Sequence, residues 1–474
     1  MLGLLAIAMF AYPCLRVGTI TEIDYNEGWN AYQQIRAMTG ASLYSAETPY
    51  FINNYPPLSF YIVGLLGKLV GDVVLAGRLL SLLAVSVISL SVAVAVRAGG
   101  GRRPDSILAG LTILALLSGL ATDYVGSNDP QLLAQGFVLA GFATYVTAGD
   151  RSGRMALVAL LFACGLLCKH NVLCLPLVVS AHVLWRGSAR GRAVYLGTGI
   201  ALLALALAVI QWRFGAPFYQ NLTASRLYDA ARGVLLSIEV LDSLQAPVMA
   251  SCLFLALRRE TPIGGMVGAY LVGSLAIALA FSPGAGVDTN VFFDTMIACA
   301  MTGGLAVAWL RRQTGGNGAA LAALAILFNA GPIIHSPIAL GRMAVDLAGG
   351  ELAERETLFQ ADIDWLRQVP GPALCESHLL CLRAGKPLGV DGYAVVQATA
   401  TGRLPADTLT GMLARHEIAV AQISTRREHY PDEAQGAQAA PLRFVNFRDD
   451  VFDELDRSYK VARLGVTGRF YLPK

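Results

Sequence analysis

The 474-residue chain is 55% hydrophobic and only 15% charged, with positive mean hydropathy, above the roughly 45–50% apolar content usual for soluble domains. Its net charge of +3, from 36 Lys+Arg against 33 Asp+Glu with no dense basic run, excludes a nucleic-acid binder. The composition is that of a multi-pass α-helical membrane protein.

Met1 to Ile20 is apolar, has no basic segment ahead of it and no small-x-small cleavage site behind it, and is read as a retained first span. Directly after it stands Asp24-Tyr25-Asn26-Glu27-Gly28-Trp29, an acidic and polar stretch at the expected membrane surface. Asn53-Asn54-Tyr55-Pro56-Pro57-Leu58 follows. Leu58 to Val70 is apolar but too short for a span, and is placed flat on the outer membrane face.

Apolar stretches at 74–96, 105–121, 131–148, 193–213, 234–257, 263–282, 291–310 and 318–336 approach the ~20 residues a helical span needs. Between Arg154 and Arg186 the chain is too long for one span and basic at both ends, which predicts a tight hairpin crossing twice, with Lys169-His170-Asn171 at its tip. The basic loops (Arg97/Arg102/Arg103, Arg151/Arg154, Arg186/Arg190/Arg192, Arg258/Arg259, Arg311/Arg312) mark the cytoplasm. The alternate loops carry Asp24, Glu27, Asp123, Asp129, Asp229 and Asp288. The expected topology has about eleven spans, a cytoplasmic amino terminus and a periplasmic tail.

The composition changes after residue 340, dividing the chain into a membrane unit (1–340) and a small soluble α/β domain (341–474). A helix is predicted at Asp362 to Leu366, and strands at Ala373 to Cys375, Ile418 to Ile423 and Lys460 to Leu464. Cys375 and Cys381, six apart in a domain assigned to an oxidising compartment, are candidates for a disulfide. No metal-ligand spacing of Cys or His accompanies them.

Transfer of a sugar to a hydroxyl requires a base for the acceptor proton and cations or hydrogen-bond donors for the leaving phosphate. Asp24 and Glu27 are candidates for the base, with Asp24 nearer the end of the first span. Lys169 and His170 at the hairpin tip suit an anionic lipid phosphate. Asp288 and Asn290, flanked by Phe292 and Phe293, suit a sugar pocket. Arg78 and Arg213 are further cations in the outer half.

The order Asp24-Tyr25-Asn26-Glu27-Gly28, Tyr55-Pro56-Pro57-Leu58, Gly71-Asp72 to Ala76-Gly77-Arg78-Leu79, then Asn128-Asp129 resembles the GT-C membrane glycosyltransferases. Within them it is most similar to the protein mannosyltransferase, aminoarabinose transferase and RgtA/B/C/D-like group. The resemblance implies a GT-C-like transmembrane catalytic unit in a bacterial inner membrane. It also implies a polyprenyl-phosphate-linked sugar donor, a glycan, lipid or protein acceptor, inversion at the anomeric carbon, and no cofactor or metal. By the same resemblance Tyr55, Arg78, Asn128 and Asp129 join the substrate-binding candidates. Two departures stand out. Asn26 precedes Glu27 where the family usually has Asp, which leaves the base role open between Asp24 and Glu27. Tyr55 replaces the family's lysine, which shifts phosphate binding towards Lys169 or an arginine. A lipid-linked-sugar transporter or a non-catalytic GT-C relative is the alternative; a transporter would place its polar groups mid-span in internal repeats rather than in loops on one side.

Overall fold

The computed structural model describes all residues except 45–49, 149–150, 258–261 and 425–445. Arg258 and Arg259, expected in a cytoplasmic loop, lie outside the described residues.

Helix α1 (Leu2–Leu15) leads into a first loop that carries α2 (Asn26–Thr39) and α3 (Leu58–Val70). Then come α4 (Val73–Ala98), α5 (Arg103–Leu120), α6 (Pro130–Ala148), α7 (Ser152–Cys168), α8 (Cys174–Arg186) and α9 (Ala189–Arg213). The short α10 (Ala216–Leu222) precedes α11 (Ala230–Leu257), α12 (Pro262–Phe281), α13 (Phe293–Thr314), α14 (Gly318–Phe328) and α15 (Ala330–Met343). Helix α13 is buried continuously from Phe293 to Ala308 and forms the hub, packed by α4, α5, α11, α12 and α14. At its basic end Arg311 pairs with the buried Asp105 of α5 at 2.8 Å. By contrast α9 turns large apolar residues such as Leu203 and Trp212 outward, as a lipid-facing helix does.

Among the described residues 6 helices are long and apolar enough to cross a membrane, or 7 if one bent pair is a single span. Helix length alone therefore does not supply the expected eleven spans, because α1, α7 and α8 have 14, 17 and 13 residues. Two expectations change in detail. The span expected at 318–336 is broken, with α14 and the following helical segment meeting at 64°. The break is at Asn329, whose side-chain amide donates to Thr112 Oγ1 at 3.0 Å and to the Ala325 carbonyl at 2.9 Å, tying the bend to α5. The segment expected as a tight hairpin does turn at Lys169, but α7 packs on α6 and α9 whereas α8 packs mainly on α12. The tip therefore opens into space between helices.

The tail consists of α16 (Glu351–Gln368), β1 (Ala373–Cys375), α17 (His378–Arg383), α18 (Gly392–Ala400), α19 (Thr408–Ala414), β2 (Val420–Ile423), α20 (Asp449–Ser458), β3 (Tyr459–Gly465) and β4 (Gly468–Pro473). The sheet order is β1-β2-β4-β3, with β1 and β2 parallel and the remaining pairs antiparallel. Cys375 and Cys381 are disulfide-bonded across a Cα separation of 6.0 Å. The tail rests directly on the first loop, since α17 packs against α2. Gly28 makes this possible: a Cβ there would lie 2.1 Å from the Leu379 backbone nitrogen. The acidic motif is thus clamped between the membrane unit and the tail.

Candidate functional site

Glu27 sits in the first turn of α2 and is fully buried. Its carboxylate accepts from Arg78 Nε at 2.8 Å and Nη2 at 2.7 Å, from the Ile23 N–H at 2.8 Å and from the Asn128 N–H at 2.9 Å. Arg78, 1% exposed, also donates to the Val17, Thr19 and Thr21 carbonyls. Together they join the first loop, α4 and the loop before α6. Each Glu27 oxygen thus accepts two hydrogen bonds, and the Glu27–Arg78 pair ties these three segments together. Glu27→Gln or Arg78→Met leaves an uncompensated buried charge, and a loss of about 3–5 kcal/mol is expected. Thermal unfolding of the detergent-purified variants measures it.

Asp24 lies just outside that knot. It is partly buried and accepts one backbone hydrogen bond, from the Asn26 N–H at 2.9 Å. Burial pushes its carboxyl up to about 7, with the carboxylates of Asp129, Glu27 and Asp288 pushing the same way against the Asn26 bond. A carboxyl balanced near neutrality with an open oxygen is suited to proton transfer.

Asn128 is buried beneath it in a reciprocal amide pair with Gln34, at 2.7 and 2.9 Å. Gly77 leaves the room for this, since a Cβ there would come within 1.9 Å of Asn128 Oδ1. Asp129 accepts from Lys169 Nζ at 3.2 Å, and its other oxygen is buried with no partner among the described residues. The Lys169 ammonium also lies 4.8 Å from the Tyr55 ring centroid. A cation from the α7–α8 turn thus stands against Tyr55, just ahead of Pro56-Pro57. Asn290 and Asn171 both donate to Gln131 Oε1, at 3.2 and 3.3 Å.

Two adjoining cavities open here. One, of about 390 Å³, is lined by Tyr55, Lys169, His170, Asn171, Arg226 and Asn290 among others. The second, of about 270 Å³, shares Tyr55 and Arg226 and extends between α2 and the tail. Asp288 is exposed and accepts from Tyr124 Oη at 3.2 Å, at the edge of the acidic group. Arg213 stands apart: it is half-buried, donates to the Gly40 carbonyl at 2.7 Å at the end of α2, and lines neither cavity. Among the described residues no three His, Cys, Asp or Glu side chains converge in metal-ligand geometry.

Sequence reasoning missed Arg226, and the residues that the tail contributes to the second cavity, such as Asp391, Tyr393 and Gln397. Arg226 had a signal, being the one charge between Arg213 and Asp229 in a loop expected on the outer side. Asp391 had none, because its side chain accepts from the Ala394 N–H at 3.2 Å and reads as an ordinary helix cap.

The fold is that of the GT-C membrane glycosyltransferases. The chain superposes on ArnT from Cupriavidus metallidurans bound to undecaprenyl phosphate with a TM-score of 0.58 at 16% identity, covering 98% of this chain and 97% of that one. The archaeal oligosaccharyltransferase AglB from Archaeoglobus fulgidus, in complex with an inhibitory peptide and a dolichol-phosphate, gives a TM-score of 0.55 at 12% identity, covering 88% of this chain and 68% of the other. Residues 52–231 match a family model described as a 6-pyruvoyl-tetrahydropterin synthase related domain, membrane protein. That stretch includes Tyr55, Arg78, Asp129, Lys169 and Arg226. No curated protein matches the sequence.

Proposed function

We propose that this chain moves a sugar from a polyprenyl-phosphate donor to a hydroxyl acceptor at the outer face of a bacterial inner membrane. The observation that carries the reading is a cavity lined by two cations, Lys169 and Arg226, and by a His170 imidazole that burial and these cations keep neutral, together with a carboxyl balanced near neutrality at Asp24, outside the lining. The two are linked through Asp129, which pairs with Lys169 and whose charge Asp24 feels. Both solved relatives described above hold a polyprenyl-type phosphate.

In this reading the phosphate lies against Lys169, with Arg226 and His170 alongside, and the lipid tail leaves sideways into the bilayer. The acceptor oxygen attacks the anomeric carbon as the bond from that carbon to the phosphate oxygen breaks, and the bonding pair departs with the polyprenyl phosphate. The acceptor proton passes to Asp24. Lys169 and Arg226 neutralise charge developing on the leaving oxygen. A single displacement of this kind inverts the anomeric centre. Purified protein incubated with a panel of radiolabelled polyprenyl-phosphate sugars and a membrane extract tests the proposal: label should leave the lipid donor for a second product, and no turnover of any donor would refute it.

The site requires its loops to face the periplasm. The Cys375–Cys381 disulfide supports that side for the tail, as do the basic loops at the opposite ends of the helices. A reporter fused after Gly350 is expected to read periplasmic, and fusions near Arg102, Arg190 and Arg312 cytoplasmic. A cytoplasmic signal at Gly350 contradicts the orientation.

A further inference from the structure

The second cavity is lined by the membrane unit and the tail together, and its tail residues take no part in the donor binding proposed above, although it shares Tyr55 and Arg226 with the first cavity. Its tail side carries polar groups that have no reason to be buried unless something binds them. Tyr393 Oη and Gln397 Nε2 line the cavity and are buried with no hydrogen-bond partner among the described residues, and Gln397 is only 6% exposed. Buried donors are ordinarily satisfied, and leaving them unpaired is costly. Asp391, also 6% exposed, presents a carboxylate beside them. His378 supports it from behind, with Nε2 3.9 Å from Asp391 Oδ1 and its ring 5.6 Å from that of Tyr25. Opposite these groups the first loop and α2 supply the rings of Tyr25 and Trp29.

From this juxtaposition we infer that the tail cavity is the acceptor subsite and that it takes the sugar end of a glycan. The inference rests on the transfer reading above and adds to it the class of acceptor. A pyranose has apolar C–H faces that lie on aromatic rings and an equatorial rim of hydroxyls that both donate and accept. Tyr25 and Trp29 meet the first requirement, and Asp391, Tyr393 and Gln397 the second. An extended peptide would add to a sheet edge, yet no strand residue lines the cavity among the described residues. A lipid alcohol would need an apolar slot in place of this density of carboxylate, amide and phenol. The cavity adjoins the donor cavity along Tyr55, Arg226 and Gly286, so a hydroxyl held in one can meet an anomeric carbon held in the other.

The full-length protein in lipid nanodiscs, without donor, is examined by saturation-transfer NMR with cellotriose, maltotriose and chitotriose, and separately with a serine- and threonine-containing hexapeptide. At least one trisaccharide should bind, and Tyr393→Phe should weaken it about tenfold, the effect of one lost buried hydrogen bond. Since the Tyr393 hydroxyl touches no described partner, a purely structural role predicts no change. Asp391→Asn keeps the acceptor for the Ala394 N–H and should weaken the same sugar. Binding of the peptide with none of the sugars, sugar binding equal in all variants, or no sugar binding at all would each overturn the inference. The transfer reading fails separately, on donor turnover: trisaccharide binding without turnover refutes transfer and keeps the sugar site, whereas turnover without trisaccharide binding refutes only the acceptor class.

Discussion

Asp24→Asn is expected to lower sugar transfer by about 10²–10⁴-fold while the protein remains folded. Asn keeps an oxygen for the Asn26 N–H, the only described hydrogen bond the carboxyl accepts, but cannot take the acceptor proton. Because burial raises the Asp24 carboxyl to about 7, the base is mostly protonated at pH 6 and mostly ionised at pH 8, so wild-type kcat/KM should climb through neutrality and level off above it. The stability effect has the opposite sign. The folded state holds its proton to higher pH than the unfolded chain does, so ionisation penalises folding, and stability falls as pH rises from about 4 towards 7. Asp24→Asn removes that slope and should unfold at a higher temperature than wild type at pH 8. Loss in Glu27→Gln with normal stability and normal turnover in Asp24→Asn would transfer the base role to Glu27.

Lys169→Met carries the second large effect. The ammonium is 4% exposed, pairs with Asp129 and faces the cavity, and its loss should lower kcat/KM by an equivalent of about 2–4 kcal/mol. Lys169→Arg should retain part of the activity. Some of the loss could come from stranding the Asp129 carboxylate, and the double variant Lys169→Met/Asp129→Asn separates the two. If the lysine acts on phosphate, removing the stranded charge restores thermal stability but not turnover. Recovery of turnover in the double variant would reduce Lys169 to a structural counter-ion and leave Arg226 as the phosphate ligand.

What was legible in the sequence follows physical lines. Long apolar stretches bounded by arginines gave α4, α5, α9, α11, α12 and α13 directly, since length and hydropathy are local properties. The bend at Asn329 was hidden because it depends on Thr112, far away in the chain. In the tail β1, β2 and β3 were found close to their bounds, and β4 was not, because Gly468 and Pro473 at its ends look like loop punctuation until the hairpin with β3 forms. At the site, Asp24, Asp129 and Lys169 were legible as candidates, from charge placed where apolar sequence is interrupted. The different surroundings of Asp24 and Glu27 were not, because Arg78, 51 positions from Glu27, pairs with that carboxylate and not with Asp24. Arg213 misled for the complementary reason: proximity to the outer membrane face does not specify which cavity a side chain reaches.

The account is tested most directly by following radiolabelled polyprenyl-phosphate sugar turnover against pH for wild type and Asp24→Asn in the same nanodiscs. It predicts a single ionisation near pH 7 in wild type, with activity on the alkaline side, and a pH-independent residue of activity at least a hundredfold lower in the variant. Equal turnover, or the same pH profile in both proteins, would contradict it.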